Sequence, residues 1–152
     1  MVKEPGMSLI VKRITKVTVS LIFLYGVYIM LHGHLTPGGG FAGGVIIALS
    51  FIHLMLAFGK DAAFNKLNQA VVSVFESFGG LMFLGIALLG LMSGAYFFMN
   101  VLPKGRPFDL FSSGIIILGN IAIFIKVGAG LFAIFIALAI LRIPDTQEGE
   151  DE

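Results

Sequence analysis

An all-α integral membrane protein with four transmembrane helices is the fold this sequence predicts, and three observations carry the prediction. Charged residues make up 12% of the 152-residue chain, about half the ~25% of soluble domains and too few to coat a water-soluble globule. Mean hydropathy is +0.99. The apolar residues gather into four long runs separated by short polar or glycine- and proline-rich stretches. At ~1.5 Å per residue such runs approach the ~30 Å of a hydrocarbon layer. No polar stretch is long enough to build a soluble domain, so residues 1–152 read as one four-helix transmembrane domain.

The first helix is expected over about 14–31, where apolar residues follow Lys12, Arg13 and Lys16. Basic residues before an apolar run also suit a signal peptide. No small-residue cleavage site follows, because Tyr28, Ile29 and Met30 are bulky, so the segment reads as a retained membrane helix. The second helix is expected over about 41–59. Its start carries the overlapping pairs Gly39/Gly43 and Gly40/Gly44, small residues four apart that let helix backbones come close.

The stretch 59–74 is more polar, with Lys60, Asp61, Asn65, Lys66, Asn68 and Gln69. Its apolar positions Phe64, Leu67, Val71 and Val74 recur at helical spacing, which predicts a short amphipathic helix lying in the interface. A third helix follows over about 75–99 and a fourth over about 111–141. The fourth is too long for a simple crossing, so it must tilt, project into water or break. The stretch from Lys126 to Gly130 is the natural weak point. Residues 143–152 form a short acidic tail.

With four crossings, Lys3, Lys12, Arg13, Lys16, Lys60, Lys66 and Arg142 fall on one side, against Lys104 and Arg106 on the other. The positive-inside rule then places both termini and the tail in the cytoplasm, and the loop between the first two helices outside.

That loop, His32–Gly44 (HGHLTPGGGFAGG), organises the chain. It holds two of the three histidines and six of the twenty glycines. Pro37 disfavours helix at Thr36, and three following glycines free the backbone for a tight turn and close approach. A phosphate cradle needs a preceding strand and a Lys-Ser/Thr after the glycines, and neither is present. His32 and His34 lack the further ligands of a metal site. A hairpin packed against a neighbour remains, with His34, Pro37, Gly38, Gly39, Gly40, Phe41, Gly43 and Gly44 serving assembly.

The run Gly33–Gly44 resembles the signature of the MnhB/MrpB family, whose members are subunits of Mrp-type multisubunit cation/proton antiporters. The same family supplies a subunit to membrane-bound hydrogenases and related sulfane-reducing complexes. The resemblance implies a small subunit of an Na⁺/H⁺ antiporter module. That module is either free-standing or part of a hydrogenase-like respiratory complex in the cell membrane. It also implies that the partners are other membrane subunits, with Na⁺ and H⁺ as transported ions.

Cysteine is absent, which excludes thiol catalysis, disulfides and cysteine-ligated iron–sulfur clusters. A net charge of +1 argues against nucleic acid as a partner. No cofactor or metal is expected, and the chain is not catalytic alone.

Three ionisable residues lie inside apolar runs: His53, Glu76 and Lys126. Each costs a few kcal/mol or more in hydrocarbon, so each needs a partner, a wet path or an escape to the interface. Lys126 sits near the middle of the fourth helix. Gly119, Ala122, Ala129, Ala133 and Ala137 share its face, which suits close packing with another helix.

Glu76, expected at the start of the third helix, is either a helix N-terminal acid or a path residue. His53 is either a packing residue or a proton relay. Together the three are candidates for an ion pathway. The competing readings are a structural subunit that seals and positions its neighbours with static charge pairs, and a homo-oligomeric channel.

Overall fold

The computed structural model describes residues 7–59, 69–94 and 96–140. It contains four helices among the described residues: α1 Leu9–Leu31, α2 Gly39–Phe58, α3 Gln69–Met92 and α4 Ile115–Ile140. All four are long and apolar enough to cross a membrane, and no strand occurs among the described residues. The helices lie in the order α1, α2, α4, α3. The main contacts are α1 on α2, α2 on α4 and α4 on α3, with α1 also touching α4.

The helix limits differ from the expected ones for local reasons. α1 begins at Leu9 because Ser8 caps it, its hydroxyl accepting from the Val11 N–H at 3.5 Å. The basic residues are good helix formers and join the helix ahead of the apolar run. α3 begins at Gln69, so 69–74 belongs to the membrane helix and not to a separate interfacial one. The remainder of the expected interfacial helix, 60–68, lies outside the described residues, as does the acidic tail.

α3 also ends at Met92 instead of about 99. Gly94 takes φ +76° and turns the chain. The following residues fold back along α3, with the Phe98 N–H donating to the Ala87 carbonyl at 3.2 Å. Phe98 itself sits at φ +62°, an uncommon conformation for an aromatic residue. Its ring packs on Phe83 with centroids 5.1 Å apart. The apolar Tyr96–Met99 run therefore lies back against α3 instead of extending it.

α4 starts at Ile115, after Gly114 at φ +59°. Asn100 Oδ1 accepts from the Ile115 N–H at 3.0 Å. The helix stays continuous from Ile115 to Ile140, so of the three ways to take up its length, a break between Lys126 and Gly130 does not occur. Its 26 residues span about 39 Å, which leaves tilt or projection to accommodate the length.

Glycines set how closely the helices approach. A Cβ on Gly43 would stand 2.8 Å from the Gly26 carbonyl oxygen of α1. A Cβ on Gly40 would land on the Asn120 backbone of α4. The small residues at the start of α2 thus serve contacts inside this chain. Apolar clusters fill the rest. Met55, Val72, Phe132 and Ile136 form one, and Ile86, Ile115 and Ala122 another.

Candidate functional site

The α3–α4 contact carries two of the three intramembrane charges. Gly79 makes this contact possible, since a Cβ there would stand 2.7 Å from the Lys126 nitrogen and 2.9 Å from the Ala122 oxygen. With the backbones this close, the neighbouring side chains lie across each other's helix. Lys126 Nζ is 3.6 Å from where a Cβ on Gly80 would be. Glu76 Oε1 is 3.6 Å from the equivalent point on Gly130. Gly80 follows Glu76 by one turn and Gly130 follows Lys126 by one turn, so each charge rests on the glycine beside the other. A larger residue at either glycine would displace a charged side chain.

The two groups are neighbours without being an ion pair, since no oxygen–nitrogen contact within 4 Å joins them among the described residues. Glu76 is half-buried, while Lys126 is exposed on the surface of the four helices. Lys126 lies eleven residues past Ile115, or about 17 Å along the helix axis. Glu76 lies seven residues past Gln69, or about 10 Å. Because α3 starts earlier than expected, Glu76 is not a helix N-terminal acid. It reaches inward to the level of Gly130 and gives the chain an acid close to Lys126. The unbroken α4 frees no carbonyls to stabilise the ammonium, and among the described residues Glu76 is the acid beside it.

The small-residue stripe around Lys126 is filled mainly from within. Ala122 is fully buried, and Ala129 and Ala133 pack against the Met55–Phe132 cluster. His53 stands elsewhere, on the α1–α2 contact. Its Nε2 lies 3.4 Å from Oγ1 of Thr15, a residue only 1% exposed. The structure therefore brings Glu76 and Lys126 together and separates His53 from them.

At the other end of the bundle the glycine hairpin packs on its own chain. Its turn follows from local chemistry: the Leu35 and Thr36 N–H groups and the Thr36 hydroxyl all donate to the His32 carbonyl. Gly38 at φ +133° and Gly39 at φ +66° then lead into α2. His34 donates from Nε2 to the Asp109 carbonyl at 3.1 Å, which ties the hairpin to the loop before α4. Its Nδ1 is buried without a partner among the described residues. The Gly40 N–H donates to Asn120 Oδ1 at 3.3 Å.

Phe41 points outward and is 64% exposed, and Pro37 is also exposed. Gly39, Gly40, Gly43 and Gly44 are therefore buried within the chain, whereas Pro37, Gly38 and Phe41 are exposed and free to meet a neighbour. Sequence reasoning missed Asn120 and Asn100. The signal for Asn120 was present, as an amide within an otherwise apolar run. No group of three or more His, Asp or Glu is placed to hold a metal among the described residues.

Comparison with known proteins agrees with this architecture. The family described as "Domain related to MnhB subunit of Na+/H+ antiporter" matches residues 10–133. An uncharacterized protein of Methanocaldococcus jannaschii is 34% identical over 119 residues, covering 73% of this chain and 44% of that protein. A putative antiporter subunit mnhB2 of Staphylococcus saprophyticus is 32% identical over 103 residues, covering 66% of this chain and 63% of that one. The corresponding Staphylococcus epidermidis protein is 35% identical over 78 residues, or 51% and 50% of the two chains.

The matched stretch thus spans about half the length of the Methanocaldococcus jannaschii and Staphylococcus epidermidis relatives. Among solved structures, a chain of the membrane-bound sulfane sulfur reductase, an archaeal respiratory membrane complex, superposes with a TM-score of 0.71 and 32% identity. The match covers 88% of this chain and 60% of that one. The family match takes in α1, the glycine hairpin, α2, α3 and most of α4, and so this multi-pass membrane protein belongs to the family of domains related to the MnhB subunit of Na⁺/H⁺ antiporters.

Proposed function

We propose that this chain is a non-redox membrane subunit of a multisubunit Na⁺/H⁺ antiporter module in the cell membrane, and that Glu76 and Lys126 form part of its ion pathway. The observation that carries the reading is an exposed ammonium at mid-helix, one turn from a half-buried carboxylate and not paired with it. Left against lipid, that ammonium costs several kcal/mol. A neighbouring subunit that brings a carboxylate or a wet cleft to this face removes the cost. It also creates a polar crossing point that two charges on this chain already begin. The host is a free-standing antiporter or a respiratory complex of the sulfane-reductase kind. The lysine and arginine distribution supports cytoplasmic termini, with the glycine hairpin on the opposite face. Phe41 and Pro37 on that hairpin serve assembly. His53, bonded to Thr15, stands outside this pathway and fits a packing role.

The test is Na⁺-dependent ΔpH in vesicles holding complexes matched for subunit content. Lys126→Ala assembles and transports poorly, and Lys126→Arg restores charge without restoring transport. Normal transport by Lys126→Ala refutes the pathway. The structural reading shares the same exposed ammonium but makes it one half of a static inter-subunit pair. In that case Lys126→Ala fails to assemble and Lys126→Arg restores both assembly and transport. A homo-oligomeric channel predicts a stable complex of this chain alone.

A further inference from the structure

A cavity of about 430 Å³ opens in the α3–α4 groove beside the loop that joins those helices. Its walls are mainly apolar, formed by Phe83, Phe98, Ile115 and Ile123, with Lys104, Ser113 and Asn120 among the polar residues lining it. The Asn120 Oδ1 is taken by the Gly40 N–H, and its Nδ2 has no partner among the described residues. Ser113 Oγ is buried and has no hydrogen-bond partner among the described residues. Lys104 is exposed. Asn100 also lines the cavity, but its amide is committed: it accepts from the Leu102 and Ile115 N–H groups and donates to the Leu102 carbonyl. The polar groups left over are the Ser113 hydroxyl, the Lys104 ammonium and the Asn120 Nδ2, all donors, and among the described residues no acidic side chain lines the cavity. The chemistry that satisfies them is an anionic, acceptor-rich group.

Depth and wall character narrow the ligand. Ile115 opens α4, and Ile123 lies eight residues further, or about 12 Å along the axis. The cavity therefore runs from the membrane–water boundary into the upper hydrocarbon layer. Water at Ser113 and Asn120, or a free anion at Lys104, leaves the aromatic and isoleucine walls bare. An anionic head joined to an apolar chain covers both. We propose that this cavity binds an anionic lipid, its phosphate accepting from Lys104 and Ser113 and its upper acyl chain lying against Phe83 and Ile123. The site is separate from the Glu76–Lys126 pair and does not depend on that pair carrying ions.

The test uses the full chain within its complex, reconstituted in nanodiscs of phosphatidylglycerol or phosphatidylcholine, with bound lipid read by native mass spectrometry. Wild type retains the anionic lipid about tenfold better, as suits one charge-assisted contact. Lys104→Ala abolishes that preference and Lys104→Arg keeps it. Ile123→Trp fills the cavity and excludes lipid with the cation intact. Since Lys104 lies on an exposed loop, its variants carry the test even if Ile123→Trp misfolds. Excess inorganic phosphate leaves the lipid bound. Equal retention of the two lipids by wild type overturns the proposal, as does an unchanged preference in Lys104→Ala. Displacement by phosphate also overturns it, and so does a neighbouring subunit's side chain found seated in the cavity.

Discussion

Gly79→Ala is the substitution that most directly probes the closeness of α3 to α4. The added methyl would stand 2.7 Å from the Lys126 nitrogen, 2.9 Å from the Ala122 oxygen and 3.0 Å from the Lys126 Cα. All three are backbone atoms, so no side chain can swing away and the helices must separate. Overpacking of this kind costs about 1–3 kcal/mol. Alanine also raises helix propensity over glycine by about 1 kcal/mol, which masks part of the loss.

Gly85→Ala on the same helix supplies the reference, because a Cβ there meets nothing within 4 Å. It receives the propensity gain alone. The difference between the two variants therefore isolates the packing cost, about 1–3 kcal/mol. Equilibrium unfolding of the full chain in mixed micelles measures both. Gly79→Ala should be the less stable by that margin, with Gly85→Ala equal to or above wild type. Equal stability of the two variants would refute the close α3–α4 contact, and with it the placement of Lys126 over Gly80.

Asn120→Ala leaves the Gly40 N–H without its acceptor and should cost about 1–3 kcal/mol in the same unfolding assay; an unchanged midpoint would count against the hairpin–α4 bond. Phe41→Ala should leave the chain's own stability within about 0.5 kcal/mol yet lower its recovery with partner subunits on purification. Gly39→Leu, strained at φ +66° and crowded by Asn120 Oδ1 at 3.2 Å, should instead destabilise the chain itself. Cysteines placed at Ser8 and Thr36 should label from opposite faces of sealed vesicles, and same-face labelling would refute the topology.

The four crossings were legible because apolar run length is a strong signal, and lipid leaves the backbone few alternatives to helix. The hairpin was legible from Pro37 and its glycines. Its packing partner was not, because sequence marks a backbone that can approach closely without saying what it approaches. Within the chain, Gly39 and Gly40 approach Asn120 of α4. The end of α3 was misread because Tyr96–Met99 is apolar enough to continue a helix. Only the positive φ at Gly94 and the return bond from Phe98 to Ala87 reveal the fold-back.

Lys126 stood out in the sequence from its depth and from the small residues that share its face. Glu76 as its neighbour did not, because the pairing depends on the earlier start of α3 and on the antiparallel α3–α4 register. His53 was grouped with the other two by apolar context, which fixes depth but not the helix face.

The claim that Glu76 and Lys126 act in one pathway is tested most directly by a double-mutant cycle on transport. Complexes carrying Glu76→Gln, Lys126→Met or both, matched for subunit content, are compared in vesicles by Na⁺-dependent ΔpH. Residues in a single path are non-additive. Each single variant should therefore lose most of the transport, and the double variant should be no worse than the poorer single. Wild-type transport in the single variants, or losses that multiply in the double, would contradict a shared pathway.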